Sequence, residues 1–175
     1  MHLIFVGYMG SGKSTLGKKI ARKLDRPFVD MDERLEERFG CTISEFVIEH
    51  GIEAFRAEEG DLLREIVNEP DSVIATGGGT PCAKGAMEWL RKHGVVIHLS
   101  VSPRVLAKRL EGNCTNRPLL ADVKPSDLER VIGRQLLVRA SCYSGANTKW
   151  EEEEYDEATI DKKLESIGWR LRACL

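Results

Sequence analysis

Short apolar runs alternate with longer amphipathic segments along the whole chain. The apolar runs are typical of buried strands and cover residues 3–6, 28–29, 72–75, 95–99 and, less regularly, 147–152. Between them apolar residues recur every third or fourth position, as on one face of a helix, and Leu16, Ile20 and Leu24 form the first such stripe. Strands that alternate with helices predict an α/β fold of three layers, in which a five-stranded parallel sheet is flanked by helices.

Glycines, prolines and capping residues divide the helical segments. The pattern predicts helices over residues 33–39, 44–50, 52–67, 84–93, 103–110, 128–143 and 160–171. Gly40, Gly51 and Gly94 follow three of them, as expected at helix ends. Residues 126–129 read Ser-Asp-Leu-Glu, a capping-box pattern that predicts a helix start. Residues 111–125 lack periodicity and predict a polar loop of the length that often serves as a lid.

Composition narrows the class of protein. The chain of 175 residues is long enough for one domain over 1–175, and its net charge of −2 gives no reason to expect nucleic acid as a partner. Apolar runs stay well below the length of about 20 residues that a membrane helix needs, so we expect no membrane partner and a cytoplasmic location. The five cysteines are dispersed without a Cys-x-x-Cys pair, which favours reduced thiols over disulfides or a zinc site.

A phosphate-binding loop follows the first strand. Residues 7–15 match the complete pattern G-x-x-x-x-G-K-[ST] and lead directly into the first helix. Glycines let backbone N–H groups turn towards an anion, and the helix N-terminus adds partial positive charge. Lys13 is then expected to reach the β- and γ-phosphates of a nucleotide, and Ser14 to bind Mg²⁺. A glycine-rich turn with an incidental lysine is the alternative, which the flanking strand and helix disfavour.

Three weaker features follow in the chain. Asp30 and Asp32 end the second strand, where two residues of spacing would place both carboxylates on one face. Arg56 and Glu59 are spaced for contact along a helix. Three glycines follow the third strand in residues 76–81, at the edge of a parallel sheet where ligands bind. Each also has an ordinary interpretation: an acidic first helical turn, a surface ion pair and a flexible turn.

The full set of motifs resembles the shikimate kinases, small P-loop kinases with the architecture of the nucleoside monophosphate kinases. The matching segments are GYMGSGKSTLGKKIA after the first strand, DMD at 30–32, FRAEE at 55–59, TGGGTP at 76–81, RPLL at 117–120, and the pair Arg139 and Tyr143. Apart from the phosphate loop each segment is a weak signal. Their common order over residues 1 to 145 makes the resemblance specific.

The resemblance implies ATP and shikimate as substrates, with Mg²⁺ as cofactor, in a monomeric enzyme of aromatic amino acid biosynthesis. The γ-phosphoryl group would pass to the 3-hydroxyl of shikimate, giving shikimate 3-phosphate and ADP. Residues 32–60 would form the shikimate-binding region and residues 111–125 the lid.

The same resemblance implies a role for individual residues. Catalysis would depend on Lys13, Asp32 and Arg117. ATP would be bound by Gly10, Ser11, Gly12, Lys13, Ser14, Thr15, Arg109 and Arg117, with Arg109 stacked on adenine. Shikimate would be bound by Asp32, Arg56, Gly77, Gly78, Gly79 and Arg139, and the metal by Ser14 and Asp30. Glu59 would orient Arg56, whose planar guanidinium can pair with a carboxylate through two hydrogen bonds.

Two alternatives remain at this stage. Another small-molecule kinase of the same fold, such as a gluconate or nucleotide kinase, shares the phosphate loop. A nucleotide-binding module without catalysis is the second alternative, although all the proposed catalytic residues are present. Residues 144–154 depart from the family pattern, so the adenine contacts of this region stay open.

Overall fold

The fold is built on one parallel sheet, which confirms the predicted class. The computed structural model describes residues 1–112, 120, 123–151 and 155–169. The strands are β1 (His2–Val6), β2 (Phe28–Asp30), β3 (Val73–Ala75), β4 (Gly94–Leu99) and β5 (Thr148–Trp150). They lie in the order β2-β3-β1-β4-β5, all parallel, so the weakly predicted fifth strand is indeed an edge strand.

The described residues form seven helices beside these strands. They are α1 (Lys13–Leu24), α2 (Met31–Phe39), α3 (Ile43–Ile66), α4 (Ala86–His93), α5 (Pro103–Leu110), α6 (Leu128–Tyr143) and α7 (Glu157–Ser166). Two 3₁₀ turns lie at Thr80–Cys82 and Pro125–Asp127. Gly51 has non-helical angles inside α3, at the point where the sequence predicts one helix to end and another to begin.

Alternating residues of the central strand β1 separate the two sides of the sheet. Ile4 and Val6 pack with α2, α3 and α4, whereas Leu3 and Phe5 pack with α1 and α7. A smaller apolar cluster joins the phosphate loop to α5 and α6. Helices therefore cover both faces of the sheet, and the carboxyl ends of its strands are left to the loops that form the site.

The prediction that Asp30 and Asp32 lie on one strand face is wrong. Asp30 is the last residue of β2 and the N-cap of α2, where its carboxylate accepts hydrogen bonds from the N–H groups of Asp32 and Glu33. This cap ends the strand and starts the helix, because it satisfies two N–H groups that have no partner within the helix. Asp32 consequently lies in the first helical turn.

The capping box predicted at residues 126–129 is also absent. Ser126 lies within the 3₁₀ turn Pro125–Asp127, and α6 begins at Leu128 without a side-chain cap. Arg117 and most of the predicted lid lie outside the described residues, as does Leu171 of the predicted last helix. Among the described residues, none of the helices is long and apolar enough to cross a membrane.

Candidate active site

The candidate site is a cleft of about 510 Å³ at the carboxyl edge of the sheet. Its walls come from the phosphate loop after β1, the start of α2 after β2, and the glycine loop (residues 76–79) after β3. The strand order makes this possible, because β3 lies between β1 and β2 and brings the three loops together. Open α/β sheets bind ligands at this edge.

The phosphate loop has the backbone that an anion site requires. Gly10 and Gly12 have φ angles of +75° and +97°, which residues with a side chain rarely adopt. Lys13 begins α1 and is buried, with its Nζ donating to the carbonyl oxygens of Gly7 at 2.9 Å and Tyr8 at 3.0 Å. The loop therefore presents a helix N-terminus and an ammonium group to the cleft, both of which favour phosphate.

Ser14 and Asp30 meet at the side of the phosphate loop. The Ser14 hydroxyl donates to Asp30 Oδ2 at 2.5 Å, and both residues line the cleft. A hydroxyl and a carboxylate are hard oxygen ligands of the kind that Mg²⁺ prefers, and this ion usually takes few protein ligands beside phosphate oxygens and water. The two side chains predicted to bind the metal thus fit it.

Asp32 is the carboxylate that faces Lys13 across the cleft. The residue is partly accessible to solvent, but desolvation of its carboxyl group by the surrounding protein raises its pKa to about 6, and the negative charges of Asp30 and Glu59 add to this rise. The positive charge of Lys13 opposes the shift. A carboxylate with a raised pKa is a better proton acceptor than an ordinary one, and this is the property required of a general base.

The glycine loop makes room for an ion pair from α3. A Cβ atom at Gly77 would lie 2.6 Å from Glu59 Oε1, and one at Gly79 would lie 2.5 Å from Arg56 Nη2. Glu59 is 3% exposed and pairs through Oε2 with Arg56 Nη1, and its Oε1 accepts a hydrogen bond from Thr80. The carboxylate of this pair is buried although the Arg56 side chain is partly exposed, so the contact is not the pair of solvated surface side chains considered from the sequence.

Arg139 lies on the other side of the same loop. Its Nη1 is 3.4 Å from the carbonyl oxygen of Gly78, and its guanidinium lies 5.3 Å from the ring centre of Tyr8. Tyr143 donates to the same Gly78 carbonyl at 2.7 Å, and burial raises the Tyr143 pKa to about 12, so its hydroxyl keeps its proton. Arg56 and Arg139 thus place two guanidinium groups beside consecutive residues of one loop.

Arg109 and Tyr155 close the cleft at the other end of the phosphate loop. Arg109 Nη1 donates to the carbonyl oxygens of Gly10 and Ser11, each at 3.3 Å. The Tyr155 hydroxyl is 3.5 Å from the Ser11 carbonyl oxygen, and its ring would lie 3.5 Å from a Cβ atom at Gly12. Both side chains line the cleft beside the phosphate loop. Stacking of Arg109 on adenine stays a prediction.

The structure brings the predicted residues of three separate motifs to one place. Within the described residues, those that line the cleft are Gly10, Gly12, Lys13, Ser14, Thr15, Asp30, Asp32, Gly78 and Arg109. Ser11 and Gly77 are buried beneath it, and Gly79, Arg56 and Arg139 adjoin its glycine loop. The roles assigned to these residues stay predictions, as does that of Arg117, which lies outside the described residues.

Sequence reasoning missed Tyr8, Thr80 and Tyr155. Tyr8 occupies a variable position of the phosphate-loop pattern, and Thr80 lies inside a matched motif without an assigned role. Tyr155 follows an acidic run that obscures any pattern. An aromatic residue inside the phosphate loop was the one signal that pointed to an additional contact.

Known proteins are similar to this chain over most of its length. A family model described as shikimate kinase matches residues 9–167. A shikimate kinase of Phocaeicola vulgatus is 37% identical over 170 residues, which cover 97% of this chain and 97% of that protein. The residues matched by the family model include every described residue that lines the cleft.

Solved structures give the same result. Shikimate kinase from Bacteroides thetaiotaomicron matches with a TM-score of 0.88 at 37% identity, covering 95% of this chain and 98% of that one. Shikimate kinase from Acinetobacter baumannii in complex with shikimate matches with a TM-score of 0.85 at 31% identity, covering 95% of this chain and 92% of that one. The similarity of fold therefore extends over nearly the whole chain.

Proposed function

Because the chain belongs to the shikimate kinase family, we propose that its cleft transfers the γ-phosphoryl group of ATP to the 3-hydroxyl of shikimate. The observation that carries the proposal is the meeting of Lys13, Asp32 and the two arginines Arg56 and Arg139 around one loop edge. The products are shikimate 3-phosphate and ADP. Family membership does not favour the gluconate kinase or the non-catalytic alternative.

The phosphate loop binds the nucleotide. Backbone N–H groups at the start of α1 surround the phosphates, and Lys13 stabilises negative charge on the transferred group. Magnesium, when bound at Ser14 and Asp30, supplies positive charge beside the phosphate oxygens. Arg109 adjoins the loop and contacts the nucleotide beyond the phosphates, and Arg117 adds a further positive charge to the transferred group.

The glycine loop and its two arginines bind the acceptor. Arg56 and Arg139 pair with the shikimate carboxylate, because a planar guanidinium matches both of its oxygens. Gly78 and Gly79 hold ring hydroxyls through their backbone, and Gly77 keeps the loop close to α3. Asp32 orients the attacking hydroxyl and accepts its proton, a role that suits a carboxylate with a raised pKa.

We also propose that the enzyme acts as a monomer in the cytoplasm, with magnesium as its metal. The net charge of −2 and the dispersed cysteines support a cytoplasmic protein without polyanionic partners. These three statements stay predictions.

Asp32→Asn tests the proposed chemistry. The variant keeps the size of the side chain but cannot accept the proton, so we expect kcat to fall about a hundredfold or more. ATP affinity, measured by calorimetry, should stay close to that of the wild type, because Asp32 adjoins the acceptor rather than the phosphate loop's backbone. The negative charges of Asp30 and Glu59 repel the Asp32 carboxylate. Removing that charge should therefore leave the free energy of unfolding unchanged or higher.

Asp61→Asn is the matched control. Asp61 is exposed on α3 and pairs with Arg64, so the same chemical change lies on the surface. The control should keep wild-type kcat. Near-normal turnover of Asp32→Asn with shikimate would contradict the role assigned to Asp32.

A further inference from the structure

We propose that Thr80 is a positioning residue, which directs one oxygen of Glu59 away from Arg56 and so leaves the Arg56 guanidinium available for the acceptor carboxylate. The proposal rests on the proposed function, since it takes Arg56 as a ligand of that carboxylate. It concerns a hydroxyl group that lies behind the ion pair rather than in the cleft itself.

The two oxygens of Glu59 have different partners. Oε1 accepts a hydrogen bond of 2.6 Å from the Thr80 hydroxyl, and Oε2 pairs with Arg56 Nη1. Glu59 and Thr80 are both buried, at 3% and 4% exposure, whereas the Arg56 side chain is 35% exposed. Thr80 therefore fixes one oxygen of Glu59, and Arg56, which pairs with the other oxygen, stays partly exposed.

Without the Thr80 hydroxyl, the two oxygens of Glu59 would no longer keep separate partners. A buried carboxylate oxygen needs a hydrogen-bond donor, because leaving it without one costs free energy. Arg56 already pairs with Glu59 and carries further donors, and arginine and carboxylate readily form a pair with two parallel hydrogen bonds. Such a pair would occupy a second guanidinium donor and turn the plane of Arg56 away from the acceptor.

The turn that carries Thr80 is itself well fixed. The backbone N–H of Thr80 donates to the Gly77 carbonyl oxygen at 3.2 Å, and the Thr80 carbonyl oxygen accepts from the Ala83 N–H at 3.3 Å. Pro81 is the next residue of the same 3₁₀ turn, and its ring fixes its own φ angle. Gly77 leaves no room for a side chain on the Glu59 side. The position of the hydroxyl donor is thus set by the loop and not by Glu59.

Thr80→Val removes the hydroxyl at nearly constant volume. We expect the KM for shikimate to rise about tenfold, with the KM for ATP unchanged and kcat affected much less. A tenfold change corresponds to about 1.4 kcal/mol in binding. Thr80→Ser keeps the donor and should restore a KM close to that of the wild type. Steady-state ADP release, measured with shikimate varied at saturating ATP and with ATP varied at saturating shikimate, gives all three parameters.

A carboxylate-specific readout separates positioning from general damage. Shikimate methyl ester lacks the charged group that Arg56 binds, so the preference of the enzyme for the acid over the ester should shrink in Thr80→Val. In a Glu59→Gln background the same substitution should add no further change, because Thr80 acts through Glu59. Ser72→Ala removes another buried hydroxyl, beside His2 at the opposite end of β3, and should leave the acid-over-ester preference unchanged.

The possible results are distinct. Wild-type enzyme that does not turn over shikimate would overturn the proposed function, and the inference with it. Wild-type turnover with an unchanged acid-over-ester preference in Thr80→Val would overturn the inference alone. Thr80→Ala, which lacks the γ-methyl groups that valine places near Glu59, is measured beside it as a second variant. A wild-type preference in both variants would exclude the role proposed for Thr80.

Discussion

At the scale of single residues, the functional side chains of the cleft depend on neighbours that hold them. Arg56 is held by Glu59, and Arg139 lies between the Gly78 carbonyl and the ring of Tyr8. A guanidinium that is already oriented loses less conformational freedom when it binds a carboxylate. The positions of both arginines are therefore set before the acceptor binds.

His98 gives the fold a dependence on pH. It lies on β4 with its ring stacked on Tyr143 at 4.7 Å, and burial together with Lys149 lowers its pKa to about 4. The unfolded chain binds a proton near the ordinary histidine value of about 6.5. Between these two values the unfolded state holds more protons, so the stability of the fold falls as pH decreases from about 6.5 to about 4.

His98→Phe should remove this contribution while keeping a ring against Tyr143. Thermal unfolding of both proteins from pH 7.5 to pH 4.5 should show the Tm difference shifting in favour of the variant as pH falls. His50→Gln, at an exposed histidine, controls for the loss of an imidazole. A Tm difference that stays constant over this range would refute the assignment.

Sequence reasoning found the charged residues of the site and the pairing of Arg56 with Glu59, but not the contacts from Thr80 and Tyr8. Arg56 and Glu59 are three residues apart on one helix, so their contact follows from helical geometry. The bond from Thr80 to Glu59 spans 21 residues and that from Tyr8 to Gln135 spans 127. Such contacts depend on how elements pack, which local periodicity does not encode.

At the scale of elements, two glycines inside helices lie in opposite surroundings. A Cβ atom at Gly17 of α1 would lie 2.5 Å from the Phe28 ring of β2. At Gly133 of α6 the nearest atom outside the helix would be 3.9 Å away, on Pro103. The first glycine allows α1 to approach the sheet closely, whereas the second has no such packing requirement.

The same substitution should therefore have opposite effects on the free energy of unfolding. Gly133→Ala should raise it by about 0.5–1 kcal/mol, because alanine loses less backbone entropy in a helix. Gly17→Ala should lower it by about 1–3 kcal/mol, because the added methyl group overpacks the contact with Phe28. Urea denaturation at 25 °C measures both values. A stabilised Gly17→Ala would show that β2 adjusts freely to α1.

Most elements follow from their pattern, and the errors lie at their ends. The apolar runs predicted all five strands, and glycine positions predicted the ends of several helices. The sequence pattern places Asp32 wrongly on the strand, because it continues the alternation past Asp30, whose side chain caps α2. A capping hydrogen bond changes the backbone within one residue, which periodicity over several residues does not detect.

At the scale of the whole molecule, strand order creates the site. The sequence predicted parallel strands and a phosphate loop, but the order β2-β3-β1-β4-β5 comes from pairing between distant segments. That order places the glycine loop between the phosphate loop and the start of α2, so that Lys13, Asp32 and the acceptor arginines converge. The family resemblance predicted which motifs act together, and the sheet gives the physical reason.

The most direct test is acceptor-dependent ADP release with ATP and Mg²⁺, comparing shikimate, gluconate and no acceptor. We predict rapid release with shikimate and only background release in the other two reactions, because we propose that the two arginines and Asp32 bind this acceptor. Release with gluconate alone would keep the phosphate loop but contradict the acceptor assignment. Background release with both acceptors, despite tight ATP binding, would contradict the proposed kinase activity itself.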